Sequence, residues 1–256
     1  MPILFDDFLS AFSLFAAPFL RLSGMMVVAP IFSSPGFNFR TRALLAVLVA
    51  ALVAPSLPPP PFENIFTGRG LVAGITEVGV GIIMGFVLQL AFGAAVFAAQ
   101  AQSMTMGLGF AMAVDPQNGV QVPVVAQMFV ILITLLFLAL DGHLVLISAV
   151  VKSYDFIPIG ALGISQEIFA RVAALGSIVF GWGMLMALPV LTALIFINIS
   201  LGVVTRAAPQ LNIFAVGFPV TIISGLLIMF IVMPVYLDVM TRLVEITAFE
   251  SLRILR

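Results

Sequence analysis

Cysteine is missing from this chain altogether, and histidine occurs only once. That excludes disulfides, thiolate nucleophiles and cysteine-based metal sites. A lone histidine and two tyrosines leave little for acid–base or metal chemistry. Charge is scarce too: 8% of residues are charged, against about 25% in an average soluble domain. The formal net charge of −1 offers no basic excess, so nucleic acid is not an expected partner. The chain is not composed like an enzyme, and neither cofactor nor metal is expected of it.

What remains is apolar. Hydrophobic residues make up 62% of the 256, and the mean hydropathy is +1.28. So few charges cannot cover a water-facing surface, and membrane lipid is therefore the expected solvent. The opening "MPILFDDFLS" places Asp6 and Asp7 where a cleaved signal would carry positive charge. Insertion is expected to use the first hydrophobic helix itself.

Apolar runs cover roughly Phe8–Phe32, Ala43–Leu57, Leu71–Ala99, Val124–Val151, Ile168–Leu201 and Ile213–Leu237. A hydrocarbon core of ~30 Å needs ~20 helical residues, so most are long enough and Ala43–Leu57 is marginal. Backbone in lipid must satisfy its own hydrogen bonds, which makes these runs helices. The expectation is an all-α integral membrane protein with about six hydrophobic segments, several kinked or broken. "SSPGFNFRTR", "PSLPPPPF", "VDPQNG" and "YDFIPIG" punctuate them with turn and polyproline signals. No linker is long enough to divide the chain, which reads as one compact unit.

Orientation does not follow from charge. If all six runs span, Arg40, Arg42 and Arg206 share one side, and Arg69, Lys152, Arg242, Arg253 and Arg256 the other. The positive-inside rule then puts the N-terminus inside, but only because of the C-terminal tail.

Centring an Arg, Asp or Lys on a membrane helix costs ~2.5–3.5 kcal/mol. Arg21, Glu77, Asp141, Arg171 and Arg206 lie within or beside apolar runs, so each must face protein or water. Function and purely structural pairing are weighted equally for them. Glu77 shares a helix face with Gly70, Gly74, Gly81 and Gly85, a small-residue seam that lets another backbone approach. That seam suits packing within the chain at least as well as contact with another subunit.

The third run then changes character. Gln89, Gln100 and Gln102 mix with Met104, Met106 and Met112, and with Gly107 and Gly109 beside Phe110. Glutamine suits a water-filled passage or a bundle interior, and methionine re-packs readily. A deformable apolar stopper is one reading; a core helix with scattered methionine is favoured from these residues alone. In "DGH", Asp141 and His143 stand two apart and share no helix face, so a turn with a locally bonded His143 is preferred to a proton relay. In the tail, Asp238, Arg242 and Glu245 form a charged face opposite Leu237, Met240, Val244 and Leu255. It reads as an amphipathic helix leaving the membrane core.

Near the end, "RAAPQLNIFAVGFP" sets a polar elbow between two apolar runs. Pro209 cannot continue a helix, and Arg206 in the last turn can meet free carbonyls. Gln210 and Asn212 can satisfy loop backbone, while Gly217 and Pro219 bend the returning helix. The expected product is a tight helical hairpin with a cationic tip.

This elbow, with "RLSGMMVVAPIF", "MGLGFAMAVDPQNG" and "DGHLVLIS" in that order, makes nearly the whole chain similar to the FliR family. That family comprises the R-type components of the flagellar type III export gate. T-type proteins of virulence injectisomes carry a similar Ala-Pro-Gln-Leu-Asn core, usually with a following lysine. "AVGFPVTI" has none, which implies the flagellar branch. A secondary transporter of small solutes and a scaffold without a passage are the competing classes, and no clear internal repeat supports the first.

The resemblance implies a single domain, residues 1–256, P-like over about 1–185 and a Q-like hairpin with amphipathic tail over about 186–256. It implies a hetero-oligomer with P-type and Q-type subunits, near A-type and B-type export proteins, in the bacterial inner membrane at the flagellar basal body. Unfolded flagellar proteins would be the substrate. It further implies that Met106–Gln121 is a plug, with Met104, Met106, Phe110, Met112, Asp115 and Pro116 as gate residues. Much of such an assembly stands above the membrane plane.

Overall fold

A computed structural model describes residues 2–33, 36–58, 67–108, 124–208 and 213–255, and side chains within these except at 2–11 and 213–215. Helices α1 (Pro2–Val28), α2 (Phe39–Val53) and α3 (Gly68–Thr105) come first. Then follow α4 (Val124–Ala139), α5 (Gly142–Lys152), α6 (Gln166–Leu175), α7 (Ser177–Ala207) and α8 (Ile213–Arg253). Short 3-10 turns at Ala54–Ser56 and Ser153–Asp155 complete the regular structure, which is all-α among the described residues.

Local chemistry sets several boundaries. Thr67 caps α3, its Oγ1 accepting the Gly70 N–H at 3.1 Å. Pro55 falls in the 3-10 turn that closes α2. Asp141 has φ 53° and ψ 27°, and is the sole non-glycine residue with positive φ among those described. Its carbonyl accepts the Leu144 and Val145 N–H groups at 2.9 and 3.1 Å, restarting the helix in a new direction. The expected Asp141–Gly142 turn thus breaks the fourth run into α4 and α5, bent by 66°. The local hydrogen bond expected of His143 is not made: its buried Nδ1 has no partner among the described residues.

Four helical stretches are long and apolar enough to cross a membrane: Phe39–Ser56, Gly68–Thr105, Gln166–Ala207 and Val216–Arg253. The bent α4–α5 pair makes a fifth if counted as one span, and Phe12–Val28 is a shorter apolar helix. The second run, marginal by sequence, is extended by Phe39–Arg42 and the 3-10 turn. Gly176 stays right-handed between α6 and α7, which together measure 42 residues. Pro18, Pro189, Pro219 and Pro234 all lie inside helices, a tolerance typical where neighbouring helices re-satisfy the freed backbone.

The chain divides into two compact units. The first holds Met1–Leu90, Leu140–Gly176 and Val244–Arg256; the second holds Ala91–Ala139 and Ser177–Leu243. In the first, α1 and α3 touch backbone to backbone. A Cβ on Gly81 would collide with the Arg21 carbonyl, and one on Gly85 would stand 2.6 Å from the Met25 oxygen. Gly24 returns the contact against the Val78 carbonyl. The expected small-residue seam is therefore filled by α1 of the same chain. In the second, Phe129 meets Tyr236 edge-on at 5.1 Å and Phe92 meets Phe137 at 6.5 Å.

Candidate functional site

The glycine seam in the first unit brings Arg21 beside Glu77, and both are buried. Arg21 Nε donates to Glu77 Oε2 at 2.6 Å, Nη1 to Ser153 Oγ at 2.7 Å and Nη2 to the Ile157 carbonyl at 2.9 Å. Its guanidinium carbon lies 3.7 Å from the Tyr154 ring centroid, and the Tyr154 hydroxyl donates to Glu77 Oε2 at 3.3 Å. All three guanidinium nitrogens are thus engaged, and a cation–π contact covers one face. The loop that follows these partners is also tied to α3. Gly163, at φ +93°, donates its N–H to Thr76 Oγ1 at 2.9 Å. The arrangement is a closed lock between α1, α3 and residues 153–157.

A second polar centre lies at the far end of α3, in the second unit. Gln102 is buried and its Nε2 donates to the Met186 carbonyl at 3.2 Å and the Tyr236 hydroxyl at 2.9 Å. Of the three glutamines on this run, Gln102 belongs to the bundle interior, whereas Gln89 and Gln100 are exposed. Then α3 stops. Leu108 N–H bonds the Ser103 carbonyl and Gly107 N–H the Met104 carbonyl, both at 3.1 Å, with Gly107 at φ +86°. This pairing is a Schellman cap. Gly107 therefore terminates the helix in a defined geometry.

Two amides and a thioether point outward around this terminus. Gln100 and Met104 lie one turn apart on α3, and Met104 is 71% exposed. On α7, exposed Asn198 reaches the Thr105 carbonyl at 3.5 Å. Amides on apolar helices favour water or protein over lipid.

The remaining expected site residues are scattered. Met106 is fully buried. Arg171 pairs with exposed Glu167 at 2.6 Å within α6, a surface contact. Asp141 is exposed at the α4–α5 bend. Arg206 is exposed in the last turn of α7, which ends at Ala207 as Pro209 requires. Gly217 is buried and Pro219 exposed, both within α8. Phe110, Met112, Asp115, Pro116, Pro209, Gln210 and Asn212 lie outside the described residues. In the tail, Arg242 and Asp238 pair at 3.1 Å on the exposed face; Met240, Val244 and Leu255 are buried as its apolar side, but Leu237, expected with them, is exposed. That tail continues α8 without a break.

Sequence reasoning missed Ser153, Tyr154 and Ile157 as partners of Arg21, and Tyr236 as partner of Gln102. A usable signal was present: the chain has only two tyrosines, and a buried phenolic hydroxyl seeks a hydrogen bond. Among the described residues no three His, Asp or Glu side chains gather to hold a metal ion.

Long apolar helices fastened by buried charge and amide centres define a polytopic helical membrane protein. Comparison with known proteins narrows this. The family described as bacterial export proteins, family 1, matches residues 12–246. The flagellar biosynthetic protein FliR of Escherichia coli K12 is 36% identical over 229 residues, covering 90% of this chain and 87% of the relative. FliR of Pectobacterium carotovorum is 38% identical over 228 residues, covering 89% and 87%. FliR of Bacillus subtilis 168 is 26% identical over 251 residues, covering 97% and 96%. The chain belongs to the FliR family of bacterial export proteins.

Proposed function

We propose that this protein is a pore and gate subunit of the flagellar type III export apparatus in the bacterial inner membrane, at the flagellar basal body. It assembles with P-type and Q-type subunits, close to A-type and B-type proteins, and passes unfolded flagellar proteins. The observation that carries the reading is the outward-facing polar rim at the end of α3: Gln100 and Asn198 stand exposed on apolar helices. Lipid is a poor neighbour for both, and a wet conduit or a sister subunit is a good one.

Helix length supports the same reading. At about 1.5 Å per residue, the 38 residues of α3 reach ~57 Å. A hydrocarbon core is only ~30 Å thick. The excess apolar length needs protein around it, as in an assembly raised above the membrane plane.

On this reading Met106–Gln121 is the plug, with Met104, Met106, Phe110, Met112, Asp115 and Pro116 at the closure. Deleting residues 109–121 is expected to make liposomes bearing the assembled complex leak a trapped dye. Dye retention equal to the unaltered complex would reject the plug. The elbow gives a separate expectation: Arg206→Ala leaves membrane insertion intact and lowers the yield of complex with P-type and Q-type subunits. Normal co-purification would reduce the elbow to a connecting loop.

A further inference from the structure

Three features of α8 converge on the last residues of α3, all within the second unit. Met106 is fully buried, with its carbonyl accepting the Thr221 hydroxyl at 3.0 Å. That hydroxyl also faces the Phe218 carbonyl at 3.1 Å, so one proton serves both acceptors. The Met106 side chain lies directly on Gly225. A Cβ there would stand 2.6 Å from Met106 Cε, 2.7 Å from Cγ and 3.0 Å from Sδ. The Phe218 ring lies on Gly107, where a Cβ would meet Cδ1 at 2.7 Å and Cε1 at 2.8 Å. Phe218, Thr221 and Gly225 follow at steps of three and four, one face of α8.

We propose that Phe218, Thr221 and Gly225 are positioning residues for the gate: they clamp Met106 and Gly107 to α8 and so fix where the chain leaves α3. Met106 then acts as the immobile root of the stopper, and Met104, exposed two residues earlier, belongs to its working surface. The physical reasoning is direct. A Schellman cap ends α3 but cannot by itself hold that end against a neighbour. A glycine that seats a methionine, a hydroxyl on the adjacent carbonyl and a ring over the positive-φ glycine supply that hold. Each part is small, and together they suppress swinging of the terminus.

This inference rests on the plug reading, and the test separates the two. Purified complex containing P-type and Q-type subunits is reconstituted in liposomes loaded with self-quenched carboxyfluorescein, and leak is read per assembled complex. Thr221→Val should raise leak about fivefold, the population change that one lost hydrogen bond of ordinary strength produces. Thr221→Ser keeps the hydroxyl and should match the unaltered complex. Gly225→Ala should leak because its methyl displaces Met106, and Met106→Ala, which empties the seat on Gly225, should leak as well. Wild-type leak from both Thr221→Val and Gly225→Ala, with a leaking 109–121 deletion, overturns the clamp alone. A tight 109–121 deletion overturns the plug reading and the clamp with it. Equal leak from Thr221→Val and Thr221→Ser also counts against the clamp, since only serine keeps the hydroxyl that bonds the Met106 carbonyl.

Discussion

Arg21→Ala is expected to remove most of the protein from the membrane fraction. Alanine would leave Glu77 buried without its cation, and would strip Ser153 and the Ile157 carbonyl of a donor. Breaking a buried pair from one side typically costs about 3–5 kcal/mol, because the surviving charge stays enclosed. A whole domain has only about 5–15 kcal/mol in hand. Removing both charges together, as in Arg21→Met with Glu77→Leu, should do less damage than Arg21→Ala alone. The measurement is the detergent melting midpoint with the steady-state level in membranes. An Arg21→Ala protein that accumulates and melts like the parent would show that the lock contributes nothing.

Gly81→Leu should be comparably severe for a different reason. Even one methyl at Gly81 would overlap the Arg21 carbonyl oxygen, which belongs to backbone and cannot rotate aside. Helix α1 must retreat, and the retreat also pulls Arg21 from Glu77. Overpacking a tight interior usually costs about 1–3 kcal/mol, and here the lost lock adds to that. Gly202→Ala is the control: a Cβ there meets nothing within 4 Å, and alanine is the better helix former by up to about 1 kcal/mol. If the two variants express and melt alike, close contact between α1 and α3 is not what holds the first unit.

How far the residues themselves announced this architecture varies from place to place. The apolar runs translate into helices because lipid leaves the backbone no alternative. The seam on α3 was readable because Gly74, Glu77, Gly81 and Gly85 repeat with the helix. What filled it was not, since Gly24 and Arg21 lie in another run and helix pairing leaves no periodic trace. The contacts from Arg21 to Ser153 and Ile157, 132 and 136 positions away, were invisible for the same reason. Charge counting assumes that every run crosses once as a straight helix, and the fourth run is instead bent by 66° at Asp141. If such a pair did not cross, Lys152, Arg206 and the tail cations would all change sides in the count. The methionines divided by register: Met104 and Met106 sit two apart on one turn, so one faces outward and the other α8.

The Arg21 lock also has a consequence for how the molecule is made. The arginine emerges with the first helix, whereas Glu77 arrives 56 residues later, and Ser153 and Ile157 later still. At about 5–20 residues per second, the last partner trails the cation by roughly 7–27 seconds. Until Glu77 emerges the guanidinium has no counter-charge, and until residue 157 has been translated its other two nitrogens lack their partners, so the nascent chain needs shelter from the insertion machinery over that interval.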